Sequence, residues 1–180
     1  MTSFSSPEQN IGELNLKENS VVVDLGCGTG HYVFAVANAL NALGKKGVVY
    51  AVDVQKSLLE KVSAEASRIG LGNVRVVWGD IDIVGGTKLA DSIADIVIIS
   101  NVLFQSENKE SFLREGIRLL KARGQMLVVD WLDSYAGMGP SQTMLVRPEF
   151  VTQTLLGLGL TKKRDFSAGA HHWGIIFQKS

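Results

Sequence analysis

One cysteine, Cys27, is all the thiol chemistry available in 180 residues. A lone thiol excludes an intramolecular disulfide and any multi-cysteine metal site, and it fits a reducing compartment. Net charge is missing as well. Eighteen basic and eighteen acidic residues cancel, so no overall field draws the chain to nucleic acid or to an anionic membrane. The densest basic run, Lys162-Lys163-Arg164, reads as a solvated turn. No stretch reaches the roughly 18 apolar residues of a membrane helix, no signal sequence opens the chain, and no repeat or low-complexity tract interrupts it. These absences leave a soluble cytoplasmic protein as the expectation. The 46% hydrophobic and 20% charged content suits one globular domain over residues 1–180. Its serine-rich residues 1–9 are expected to be flexible.

What the chain does have is an apolar run that ends in an acid and then breaks into alternating glycines: Val21-Val22-Val23-Asp24-Leu25-Gly26-Cys27-Gly28-Thr29-Gly30. Valine favours a buried strand, and glycine permits backbone angles and close approaches that a Cβ would block. Beyond Gly30, the residues Val33, Val36, Ala37 and Leu40 share one helical face, so the glycines stand where a helix begins. A helix N-terminus offers unpaired N–H groups to a carboxylate or phosphate. The glycines would also suit an ordinary strand-to-helix turn, but two later runs repeat the acidic ending. Val48 to Val52 leads to Asp53, and Val74 to Trp78 leads to Gly79-Asp80-Ile81. In an open parallel sheet the carboxyl ends of the strands form the ligand crevice, so Asp24, Asp53 and Asp80 are expected to converge on one rim. Asp53 stands where nucleotide-binding βαβ units place an acid on ribose hydroxyls, and it can cap the helix starting near Gln55 too.

Periodicity predicts strands at about 20–24, 47–53, 74–78, 94–100 and 124–130, alternating with helices at about 31–43, 56–69, 107–121 and 147–157. Leu160 to Phe166 and His172 to Gln178, separated by Ser167-Ala168-Gly169-Ala170, read as a terminal hairpin. This is an α/β alternation that closes on an antiparallel strand.

A dinucleotide fingerprint needs its third glycine at position 31, which holds His31. The glycines after Asp24 instead resemble motif I of the class I S-adenosylmethionine-dependent methyltransferases. Leu120-Lys121-Ala122-Arg123-Gly124 resembles the family's Leu-Lys-Pro-Gly-Gly turn without the proline and one glycine, with Gly124 expected at the permissive position. The resemblance runs from about Ile11 to Lys179 and is nearest to the small single-domain, type 11 group. It implies a Rossmann-like, doubly wound sheet of seven strands, mostly parallel, with the last strand antiparallel and inserted between the fifth and sixth. It also implies S-adenosyl-L-methionine as cofactor. By the same resemblance, Asp24 and the loop of Gly26, Cys27, Gly28, Thr29 and Gly30 hold the methionine part, with Cys27 packed beneath the ligand rather than acting as a nucleophile. Asp53 holds the ribose, Val54 lies against adenine, Asp80 and the Ile81 backbone read its polar edge, and Asn101 meets the amino acid end.

The substrate side is less distinct. Relatives often carry a histidine and an acid shortly after the fourth strand, where this chain has Phe104 and Gln105. No catalytic base is assigned. Phe104 can wall the sulfonium or belong to the core. Asp130, Trp131 and Tyr135 open a long irregular stretch reaching about Arg147, which reads as a substrate-side loop or as a surface connection with a packed tryptophan. His31, beside the glycines, is a further pocket candidate. His171 and His172 alternate to opposite faces and cannot both serve one metal, so no metal is expected. Few residues precede the first strand, which implies an open cleft or one covered by a second subunit or partner. The missing Asn/Asp-Pro-Pro-aromatic motif disfavours exocyclic amines of nucleobases or glutamine as acceptors. The expected function is methyl transfer to a small molecule. RNA or protein methylation, and a non-catalytic cofactor-binding interaction subunit, are the alternatives, with a nicotinamide enzyme last. Replacing Asp53 by Ala is expected to weaken S-adenosylmethionine binding by about one to a few kcal/mol, the cost of hydrogen bonds to a charged acceptor. Calorimetric titration measures it, and unchanged affinity sinks the ribose assignment.

Overall fold

Valine and isoleucine runs become the strands at the centre of the fold, as their β-branched stiffness dictates. The computed structural model describes residues 5–135, 137 and 139–180. Strands β1 (Val21–Leu25), β2 (Val48–Asp53), β3 (Val74–Trp78), β4 (Ala94–Ser100), β5 (Leu120–Trp131), β6 (Leu160–Gly169) and β7 (His172–Lys179) form one sheet in the order β3-β2-β1-β4-β5-β7-β6. The pairs from β3 to β5 are parallel, whereas β7 runs antiparallel to both β5 and β6. This is the doubly wound, mostly parallel seven-stranded sheet expected from the sequence, with the last strand inserted.

Helices α1 (Pro7–Ile11), α2 (His31–Leu43), α3 (Lys56–Arg68), α4 (Lys109–Leu119) and α5 (Pro148–Gly157) cover the two faces. Val33, Val36, Ala37 and Leu40 of α2 pack with Leu59, Val62 and Ala66 of α3 over one face, joined by Ile11 of α1. Phe112, Leu113 and Leu119 of α4 pack with Val151 and Leu155 of α5 over the other. The central strands β1, β2 and β4 are buried on both sides and read as unbroken apolar runs for that reason, whereas β3 and β6 at the sheet edges are largely exposed.

Three expectations are corrected. Residues 1–4 of the segment expected to be flexible lie outside the described residues, but α1 begins inside it, with Ser6 capping the helix and Asn10 buried. Asn10 Nδ2 donates to the Tyr32 hydroxyl at 2.7 Å and to the Ala168 carbonyl at 3.3 Å, which ties α1 to α2 and β6. Helix α4 stops at Leu119, and the expected turn at 121–124 is instead an irregularity within β5, whose register shifts between Ala94 and Ile96 of β4. The left-handed residue there is Arg123, with φ of 62°. Gly124 is needed for a different reason, since a Cβ on it would stand 2.9 Å from the Lys121 carbonyl oxygen. The helix expected over 56–69 stops at Arg68, with Ile69 exposed as its C-cap.

The surprise of the second face is Glu115, fully buried on α4. Its carboxylate accepts from Gly85 N at 2.7 Å, from Thr87 Oγ1 at 2.6 Å and from Arg118 at 2.7 Å, and Arg118 also pairs with Asp91. Desolvation pushes this carboxyl upward, but the hydrogen bonds from Arg118, Thr87 and Gly85 more than offset that and hold it below its ordinary value. The network clamps the connection between β3 and β4 onto α4. Replacing Glu115 by Ala takes one of the two acids from Arg118 and leaves the Gly85 and Thr87 donors unmet, and should cost about 3 kcal/mol of unfolding free energy in a denaturant titration. Because the folded value is depressed, the native contribution is present above the unfolded carboxylate range and fades as pH falls below it.

Candidate functional site

The carboxyl ends of β1, β2 and β4 and the segment after β3 surround a cleft of about 670 Å³. Asp24, Asp53 and Asp80 all line it, together with Gly26, Cys27, Gly28, Thr29, His31, Val54, Ile81, Asn101 and Gln105. The convergence of the three acids expected from the sequence is therefore observed.

Local geometry explains the glycines. Gly26 has φ of 77°, and a Cβ there would lie 2.5 Å from Val102 Cγ2. Gly28 has φ of 53°, and a Cβ on it would meet nothing within 4 Å, so its backbone faces open cleft. The loop is held from below by Val52, whose carbonyl accepts from Gly26 N and Cys27 N at 2.9 and 3.0 Å. It is held from the side by Asp53. Asp53 Oδ2 accepts the Gly28 N–H at 2.9 Å and Oδ1 accepts the Gln55 N–H at 2.8 Å, so the residue organises both the glycine loop and the start of α3. A carboxylate has about four acceptor positions, which leaves room for ligand hydroxyls.

Asp24 differs from Asp53. It is buried at the floor of the cleft that it lines. Burial, reinforced by the charge of Asp53, pushes its pKa up to about 7. A group held so unfavourably fits a ligand that brings its own donors or positive charge. Asn101 adds an orphan: it takes φ of 54°, a left-handed angle that asparagine tolerates, and its Oδ1 is buried without a partner among the described residues. Cys27 is buried, and desolvation followed by the charges of Asp24 and Asp53 drives its thiol far upward, which is the reverse of nucleophile activation.

Val54 is half-exposed on the rim, its carbonyl accepting from Trp78 Nε1 at 2.9 Å. Asp80 Oδ1 accepts the Asp82 N–H at 2.9 Å, and Ile81 is buried beside it. The cleft also takes in Ser5, Pro7, Tyr32, Ser100, Asp82 and Ser106. The acid two residues past Asp80 was the available signal for Asp82. Ser5 and Pro7 bring the segment ahead of β1 to the cleft, where the sequence suggested an uncovered opening.

The remaining substrate candidates divide. His31 and Gln105 line the cleft as exposed residues, but Phe104, Asp130, Trp131 and Tyr135 do not. Phe104 packs against the core of the second face. Asp130 is fully buried, its Oδ1 accepting the Trp131 N–H at 2.8 Å. Burial raises it to about 7, against the opposing pull of the N–H groups of Trp131, Leu103 and Phe104 and of the Lys109 charge. Trp131 lies against His172 with ring centroids 4.4 Å apart, and Tyr135 stacks on His171 at 4.0 Å. Their strand-end position is as expected, but they build an aromatic cluster beside the β5–β7 pair. Among the described residues no group of three His, Cys, Asp or Glu is set to hold a metal, and no helix is long and apolar enough to cross a membrane.

A glycine loop ringed by strand-end carboxylates on this sheet defines the class I S-adenosylmethionine-dependent methyltransferase architecture. Residues 16–146 match the family model described as a methyltransferase domain, and the chain belongs to that family. A solved S-adenosylmethionine-dependent methyltransferase from Aquifex aeolicus superposes with a TM-score of 0.86 at 25% identity, covering 98% of this chain and 91% of that one. An arsenite methyltransferase of Aquipseudomonas alcaligenes is 33% identical over 119 residues, 64% of this chain and 34% of the relative. The ubiquinone/menaquinone biosynthesis C-methyltransferase UbiE of Klebsiella pneumoniae is 30% identical over 117 residues, 64% of this chain and 44% of the relative. The chain therefore spans between a third and a half of the length of these two curated relatives. The cofactor of the class is S-adenosylmethionine.

Asp24 gives a pH-dependent test. Its folded value is raised, so the folded protein keeps a proton that the unfolded chain has released, and stability falls as pH rises from about 4 through about 7. Asp24→Asn should therefore stabilise the ligand-free protein at pH 8 by on the order of a few kcal/mol and much less at pH 5. Denaturant titrations at the two pH values check this, and equal gains at both remove the electrostatic account.

Proposed function

We propose that the protein transfers the methyl group of S-adenosylmethionine to a small-molecule acceptor. The observation carrying this reading is the buried carboxylate of Asp24, raised by burial and by the charge of Asp53, in a cleft beside an open glycine backbone. The cofactor supplies a methyl carbon made electrophilic by a sulfonium. Asp24 and Asn101 Oδ1 accept hydrogen bonds from its amino acid end, and the Gly26–Gly30 backbone closes around that part. Asp53 takes the ribose hydroxyls while keeping its grip on Gly28 and Gln55. Val54 lies against adenine, and Asp80 with Ile81 reads the adenine edge. The chain's contribution to rate is orientation, which holds reactants at near-attack geometry without a dedicated acid–base pair.

The lining supports a small acceptor over nucleic acid. Four carboxylates, Asp24, Asp53, Asp80 and Asp82, face the cleft, and among the described residues none that lines it is lysine or arginine. Phosphate backbones are bound through such cations. Trivalent arsenic, the acceptor in the Aquipseudomonas relative's name, calls for soft thiolate donors. Cys27, the one cysteine of the chain, is buried with its thiol held protonated. That composition favours a carbon, nitrogen or oxygen nucleophile. The reduced, unpaired Cys27 also fits the cytoplasm as the place of action.

Titration calorimetry with S-adenosylmethionine and with S-adenosylhomocysteine tests the cofactor half. Micromolar binding of both is expected, and folded protein that binds neither overturns the reading. Transfer of labelled methyl from the cofactor to a pool of small molecules, compared with transfer to bulk RNA, tests the acceptor half. Label in RNA alone would reverse the assignment.

A further inference from the structure

The cleft has two walls that meet through one side chain. On one wall run Asp80, Ile81 and Asp82; on the other run Asn101, Val102, Gln105 and Ser106. Asp82 Oδ1 accepts the Ser106 hydroxyl at 2.5 Å, and Asp82 Oδ2 accepts the Glu107 N–H at 3.1 Å. The backbone N–H of Asp82 is itself fixed on Asp80 Oδ1. The second wall is otherwise a short span: it leaves β4 through the left-handed Asn101, whose N–H donates to the Val129 carbonyl at 2.9 Å, and makes a 3-10 turn at Leu103–Gln105. Lys109 Nζ donates to the Ser106 carbonyl at 2.8 Å from the α4 side. Across the cleft, the described tie on the far end of this span is the Asp82 carboxylate.

We propose that Asp82 is a positioning residue through which the cofactor, held at Asp80 and Ile81, fixes the 101–107 wall against which the acceptor lies. This rests on the adenine assignment made above. Ordering of residues 80–82 by the adenine end sets the Asp82 carboxylate, and the carboxylate in turn sets Ser106 and Glu107. The coupling is reciprocal, as linkage requires: an acceptor that fits the ordered wall tightens the cofactor by the same factor. Asp82 touches neither reacting group in this scheme. Its acidity serves two donors on one residue step, which a serine or asparagine could not match, because a carboxylate presents two acceptor oxygens.

Hydrogen exchange of the full chain, with and without saturating S-adenosylhomocysteine, tests the proposal at amides 104–107, which the cofactor assignment does not itself touch. In the native protein the ligand should slow exchange at 24–30 and 80–82 and also at 104–107. In Asp82→Ala, saturated with the same ligand, protection should persist at 24–30 and disappear at 104–107. Ser106→Ala should weaken it, and Ser106→Thr, which keeps the hydroxyl, should restore it; these two variants carry the test where Asp82→Ala fails to fold. A merely structural Asp82 would lower the melting temperature and leave the ligand-induced protection at 104–107 intact, which overturns the proposal. Ligand binding to the native chain without protection at 104–107 overturns it alone. No binding at all overturns the cofactor reading and this inference together.

Discussion

The carboxylate of Asp53 is the constraint on which the site depends. It stands at the end of β2 and takes one N–H from the glycine loop after β1 and one from the start of α3. Three elements that diverge from the sheet are thereby held in one register. Without that pair of hydrogen bonds the loop at Gly26–Gly30 would have only the Val52 carbonyl and its own turn to define it. A residue proposed to grip ligand hydroxyls has first to be immobile, and Asp53 is immobilised by the same groups that it organises.

Electrostatics give the cleft its direction. Burial, with the charge of Asp53 beside it, raises Asp24. The fold tolerates this because the apolar strands on either side, Val22, Val23, Val49 and Val52, are fully buried. A ligand carrying donors and positive charge removes a penalty that the protein otherwise bears, so part of the binding energy is stored in the folded chain beforehand. Stability and function pull in opposite directions at this one position.

Much of this was legible from the chain. Runs such as Val21-Val22-Val23 and Ile96 to Ile99 can satisfy their burial only inside a two-sided sheet, and the acid after each of three runs pointed to the one rim that Asp24, Asp53 and Asp80 share. Other features depend on distances that a sequence does not contain. Arg123, rather than Gly124, takes the left-handed angle because the strand continues through the expected turn. Asp130 and Trp131 end a strand on the same rim as the cleft, but the inserted β7 draws them toward His172 and Trp173. Glu115 reads as a solvated helix residue until the β3–β4 connection is folded onto it, and Asp82 reads as a surface acid until Ser106 arrives from 24 residues away.

The placement of β7 bears on how the chain is made. It is the last strand in the sequence and lies inside the sheet, paired with β5 on one side and β6 on the other. During synthesis, β5 must wait with a bare hydrogen-bonding edge until residues 172–179 have left the ribosome. Strands β1 to β5 can find one another sooner, but β6, whose partner in the sheet is β7, waits as well, and the sheet cannot close. Folding of this protein is thus committed late, and an exposed β5 edge is the surface that a chaperone, or a second nascent chain, would meet first.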